Sequence, residues 1–112
     1  MLGKLQAQGR FWFTLDGHSF LGRGRVELLQ RIADTGSISQ AAKAMKMSYK
    51  AAWDAVSAMN SAWGTLLVES NPGGSVLTAD AERLIATFIE TEAKYRVCMT
   101  ELTKTLPDKK FE

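Results

Sequence analysis

The chain has 112 residues, 46% of them hydrophobic and 23% charged, which is enough for one hydrophobic core and too ordinary in composition for a disordered tract. No apolar run nears the roughly 18–20 residues that cross a bilayer, and the first ten residues lack the apolar centre of a secretory signal, so no membrane contact and a cytoplasmic setting are expected. The net charge of +2 conceals a polarity: residues 1–50 carry eight basic and three acidic side chains, the remainder six and nine, and a basic first half suits contact with nucleic acid.

Arg10 to Leu15 is aromatic and β-branched enough for a strand, Asp16-Gly17 suits a two-residue hairpin turn, and His18 to Leu21 forms the return strand. After Gly22 and Gly24, the positions Val26, Leu29, Ile32 and Ala33 recur at helical intervals, which predicts a helix from about Arg25 to Asp34 ended by Gly36. Ser37-Ile38-Ser39-Gln40 fits a capping box, in which the Ser37 hydroxyl accepts from the Gln40 amide and the Gln40 side chain reaches back. The short helix that follows presents Ala41, Ala42 and Met45, small enough for a close helix crossing. Lys46-Met47 makes a turn, and Ser48 caps a further helix that packs Ala52, Val56 and Met59 and stops near Trp63-Gly64.

Leu66 to Glu69 and Ser75 to Leu77 read as strands joined by Asn71-Pro72-Gly73-Gly74. Thr78 caps the last helix, with Asp80 and Glu82 in its first turn, and the pattern runs to about Thr105. Its apolar stripe of Ile85, Phe88, Tyr95, Met99, Leu102 and Leu106, interrupted by Glu92, exceeds what so small a core can cover. Ile85, Phe88, Tyr95, Met99 and Leu102 are therefore the candidate homodimer interface. The fold class is mainly α with small β elements: one domain over 1–112, with an N-terminal hairpin (1–21), a helix-turn-helix and wing (22–78), and a dimerisation helix (79–107).

A helix, a second helix, a short turn, a third helix, a hairpin and a capped helix is the order of a winged helix-turn-helix. In such a motif the helix after the turn enters the major groove of double-stranded DNA, and caps and amides hold phosphates. Ser48, Tyr49, Lys50, Trp53, Asp54 and Ser57 fall on one face of that helix, opposite Ala52, Val56 and Met59. Ser37, Ser39 and Gln40 at the preceding helix start, and Asn71, Gly73 and Gly74 in the wing, complete the candidate surface. Trp53 lies at the edge of the face, where packing against core or hairpin is favoured over base contact. Asp54 would repel phosphate unless it accepts from a cytosine amino group or anchors Lys50 or Arg31.

Gly73-Gly74 lacks the Lys-Ser or Lys-Thr of a phosphate-cradling loop, and Gly22-Arg23-Gly24-Arg25 lacks the third glycine of a dinucleotide fingerprint. His18 has no nucleophile motif beside it, and Cys98 has no partner for a disulfide or a zinc site. Neither catalysis nor a cofactor is expected.

The segments Gly36-Ser37-Ile38-Ser39-Gln40-Ala41-Ala42, Met47-Ser48-Tyr49-Lys50-Ala51-Ala52-Trp53-Asp54 and Met59-Asn60, with Leu67-Val68-Glu69 and Gly73-Gly74 to Leu77-Thr78 in the wing, resemble the DNA-binding domain of the ModE molybdate-responsive regulators, within the LysR-type winged-helix group. The resemblance covers about residues 22 to 90. It implies a dimeric transcriptional regulator in which Ser48, Tyr49, Lys50 and their neighbours meet DNA and the wing follows the backbone. Larger ModE proteins continue into molybdate-binding domains, whereas this sequence ends at Glu112, so molybdate is not expected to bind it. Two other readings compete: a winged-helix module that binds proteins, and an oxyanion sensor in its own right.

Overall fold

In chain order the computed structural model contains β1 (Leu2–Gly3), β2 (Phe13–Leu15), β3 (His18–Leu21), α1 (Arg23–Thr35), α2 (Ile38–Ala44), α3 (Tyr49–Trp63), β4 (Val68–Asn71), β5 (Gly74–Leu77), α4 (Ala79–Lys104) and β6 (Lys109–Lys110). The described backbone is residues 2–110 and the described side chains are residues 3–108. The architecture is winged-helix, mainly α with small antiparallel hairpins, as the element order predicts. The chain divides into two compact units, one of residues Trp12–Phe88 and one in which the segment up to Phe11 joins that from Ile89 onward.

Within Trp12–Phe88 the core is formed by Leu21, Leu28, Leu29, Ile32, Val56, Met59, Leu67 and Phe88, all fully buried, each removing about 1.5–3 kcal/mol of apolar exposure from water. The β2–β3 hairpin turns on Asp16 and Gly17, both at positive φ, the conformation that a two-residue primed turn demands. Strand β2 starts at Phe13, later than the aromatic run suggests, and its register shifts between Phe13, opposite Leu21, and Thr14, opposite Ser19.

Helix α1 starts two residues earlier than its apolar period shows. The Gly22 carbonyl already accepts from the Val26 amide at 2.9 Å, and the period becomes visible only at Val26. Val26, Leu29 and Ile32 are buried as predicted, while Leu28 takes the fourth core position in place of Ala33, which is exposed. At the other end Gly36, at φ 71°, donates its N–H to the Ile32 carbonyl, the left-handed cap expected of it.

The stripe on α4 requires a correction. Phe88 is 1% exposed and meets the Phe13 ring edge-on at 5.2 Å, so it is a core residue and leaves the interface set. Its position is explained by β2, whose Phe13 offers a ring where the periodicity alone shows only a helix face. In the other unit, the stripe is partly covered by the chain itself. The Phe11 ring lies 5.2 Å from that of Tyr95, and the Ala7 amide donates to Thr103 Oγ1 at 2.8 Å. Tyr95 and Met99 are half-buried as a result, while Ile85 is half-buried and Leu102 exposed. A second apolar row, Ile89 and Val97, is exposed on α4, with Val97 at 61%. Strands β1 and β6 pair antiparallel in this same unit, Leu2 opposite Lys110.

At the start of α4, Asp80 accepts from Trp63 Nε1 at 3.0 Å and from Arg83. These two donors hold its carboxyl below the usual carboxylate range, the Trp63 bond contributing most. The Trp63 ring in turn stacks on Phe20 at 5.8 Å.

Phe88→Ala should cost about 3–5 kcal/mol of unfolding free energy in a urea titration. A loss below about 1 kcal/mol would return Phe88 to the surface.

Candidate nucleic-acid interface

Helix α3 begins at a cap in which Ser48 Oγ accepts from the Ala51 amide at 3.0 Å, and α2 begins in the same way, Ser37 Oγ accepting from the Gln40 amide at 3.1 Å. Both hydroxyls keep their own O–H for donation outward. The capping box at Ser37 is half realised: its amide donates to Thr35 Oγ1 at 3.3 Å. That hydroxyl takes the place expected for the Gln40 side chain, which is left exposed beside Ser39.

The turn between α2 and α3 closes through Met47 N–H to the Ala42 carbonyl and Lys46 N–H to the Lys43 carbonyl, the paired bonds of a Schellman motif. Its left-handed position is occupied by Lys46 at φ 55°, where glycine would be free of a strain of about 1 kcal/mol or more. Lysine at this turn adds a cation between Lys43 and Lys50. Residues 35–53 contain these three lysines and no carboxylate.

On the outer face of α3, Tyr49 is 54% and Trp53 49% exposed, so the packing role favoured for Trp53 is not found. The helix buries its small and aliphatic residues Ala52, Val56 and Met59 instead, which turns Trp53 outward. Ser57 is half-buried at the end of the face. Lys50 Nζ donates to Asp54 Oδ2 at 2.8 Å, with the two side chains 83% and 65% exposed. Asp54 thus anchors Lys50 and not Arg31, whose guanidinium reaches Glu27 at 3.4 Å. The bond and the adjacent charge raise the Lys50 pKa above its ordinary value, so its ammonium stays charged at neutral pH.

The wing is held at two points. Asn60, on α3, accepts at Oδ1 from the Leu67 and Val68 amides at 2.8 and 3.2 Å and donates from Nδ2 to the Val68 carbonyl at 3.3 Å. These bonds hold the chain where β4 begins, at Val68 and not at the predicted Leu66. On the other side, the Ser75 amide donates to the Gly36 carbonyl at 2.9 Å. A Cβ at Gly74 would stand 2.7 Å from that carbonyl oxygen, and φ there is +133°. Gly74 is a docking residue between wing and α1 more than a tip residue. The tip itself, Asn71 and Gly73, is exposed, with Asn71 Oδ1 accepting from the Gly73 amide at 2.8 Å.

Sequence reasoning assigned no role to Asn60. The signal that could have shown it is a polar side chain one position after the buried Met59, near the end of an apolar helix face and shortly before the wing.

Residues 24–82 match the family model of bacterial regulatory helix-turn-helix proteins of the lysR family. The chain belongs to that family. It is 43% identical over 91 residues to the molybdenum-pterin-binding protein MopB of Rhodobacter capsulatus, covering 77% of this chain and 34% of that protein. It is 46% identical over 74 residues to the transcriptional regulator ModE of Haemophilus influenzae, covering 62% and 29%. With the DNA-binding transcriptional dual regulator ModE of Escherichia coli K12 it shares 40% identity over 89 residues, 75% of this chain and 34% of that one. The chain spans about a third of the length of these relatives.

Two solved structures share the fold. One is a LysR family transcriptional regulator, with a TM-score of 0.56 and 19% identity over 67% of this chain and 26% of that one. The other is the CbnR DNA-binding domain in complex with DNA, with a TM-score of 0.50 and 22% identity over 67% of this chain and 94% of that one.

Asn60→Ala should lower stability by roughly 2 kcal/mol or more, because it orphans the amides of the buried Leu67 and Val68. Amide hydrogen exchange should quicken first in β4. A change within about 0.5 kcal/mol would show that water replaces the asparagine.

Proposed function

We propose that the chain is the DNA-binding part of a ModE-type transcriptional regulator, acting in the cytoplasm as a homodimer. The observation that carries this reading is the outer face of α3, where Tyr49, Lys50, Trp53 and Asp54 stand exposed on a helix whose opposite face is packed. In this reading α3 lies in the major groove. The hydroxyls of Ser37 and Ser48, with Ser39, Gln40, Lys43 and Lys46, meet phosphates on either side, and Asn71 and Gly73 at the wing tip follow the backbone. Ser57 marks the far end of the reading face.

The membership of residues 24–82 in a regulatory helix-turn-helix family supports DNA as partner. Catalysis plays no part in this function. The dimer forms through α4, on which Leu102 of the predicted stripe is exposed while Tyr95 and Met99 are half-buried. Molybdenum appears in the name of MopB, and DNA binding through α3 and the wing requires no molybdate.

The test is a titration of wild type, Tyr49→Ala and Lys50→Ala on duplexes selected from a random pool and on scrambled DNA, at two salt concentrations. Wild type should bind two chains per duplex, on inverted half-sites about one helical turn or a multiple apart. Its affinity should fall steeply with salt through counterion release. Each variant should lose about 1–3 kcal/mol on the selected site. Unchanged affinities for both variants would remove α3 from the groove.

A further inference from the structure

Asp54 is the sole carboxylate between Asp34 and Glu69, and it stands on the one helix face meant to approach a polyanion. Helix stability does not ask for it. A lysine in the first turn opposes the helix dipole, and a lysine preceding an acid by four residues is the weaker order for such a pair. The first turns of α1, α2 and α3 contain no acid at all, whereas α4 places Asp80 and Glu82 there. A carboxylate that neither strengthens its helix nor suits phosphate contact needs another reason.

Its geometry supplies one. Asp54 Oδ2 engages one of the three ammonium protons of Lys50, and neither group has another hydrogen-bond partner among the described residues. Two lysine donors and the second carboxylate oxygen, Oδ1, therefore remain available side by side. Guanine offers two acceptors, N7 and O6, on the major-groove edge, and the paired or adjacent cytosine offers an N4 amino donor. A phosphate offers acceptors alone and repels Asp54.

Resting on the DNA-binding reading above, we infer that Asp54 and Lys50 act as one reading unit for a guanine and a cytosine in the major groove. Asp54 is the positioning and specificity residue: it holds the lysine ammonium over the groove floor, withholds it from the backbone, and accepts from cytosine. The unit discriminates in both directions, because thymine and adenine present either a methyl group or a donor–acceptor order that the pair does not match.

Asp54→Asn tests this, since the residue is exposed and its replacement is nearly isosteric; a thermal melt of the free protein confirms folding. Wild type and variant are titrated on the selected duplex, on single-pair substitutions across one half-site, and on scrambled DNA at two salt concentrations. For wild type, replacing one particular G·C pair by A·T should weaken binding roughly tenfold or more. In Asp54→Asn that penalty should shrink to about twofold while penalties at other pairs persist. Affinity for scrambled DNA should rise, and its salt slope should steepen by about one as Lys50 turns to phosphate. Asp54→Glu should restore part of the discrimination.

If wild type discriminates but Asp54→Asn keeps every penalty, or loses affinity equally on all sequences, this inference fails and the DNA-binding reading stands. If wild type shows no preference for any duplex over scrambled DNA, both fail.

Discussion

The amide side chain of Asn60 is the constraint on which the candidate surface depends. It stands on α3 and occupies the backbone of Leu67 and Val68, so the helix that carries the reading face and the strand that carries the wing cannot be placed independently. The second restraint, between Ser75 and the carbonyl of Gly36, ties the same hairpin to the end of α1. With both made, the wing of Trp12–Phe88 has a fixed position relative to α3. Gly74 belongs to this scheme because any side chain there would push into the Gly36 carbonyl.

Charge placement follows the same division. The stretch from Thr35 to Trp53 collects cations at helix ends and at the Lys46 turn, and leaves helix N-termini uncompensated. α4 compensates its own N-terminus with acids and laces its exposed face with pairs such as Glu90 with Lys94 and Glu101 with Lys104. One part of the chain is thus prepared for a polyanion, and the other is neutralised within itself.

Much of the fold was legible in the sequence because the signals are local. Ser48 and Ser37 as caps, Gly36 as a left-handed terminator, Asp16-Gly17 as a primed turn and the period of Ala52, Val56 and Met59 each need a few residues of context. What was not legible depends on contacts far apart in the chain. Phe88 looks like any member of its stripe until Phe13 arrives from β2, and Tyr95 reads as interface until Phe11 lies against it. Trp53 lies at the edge of the face, which argues for packing, but the small residues of α3 already fill its packed side and leave the ring exposed. Asp54 as an anchor for a nearby cation was legible, but the choice of Lys50 over Arg31 was not, because Arg31 is taken by Glu27.

Backbone amide chemical shifts of the labelled protein, titrated with its selected duplex, map the DNA contact residue by residue. The largest shifts should fall in Ser48 to Ser57 and at Asn71 to Gly74, while Ile89 to Leu102 of α4 should not move on addition of DNA. Shifts concentrated on α4 or on the β2–β3 hairpin, with α3 unmoved, would contradict α3 as the reading helix.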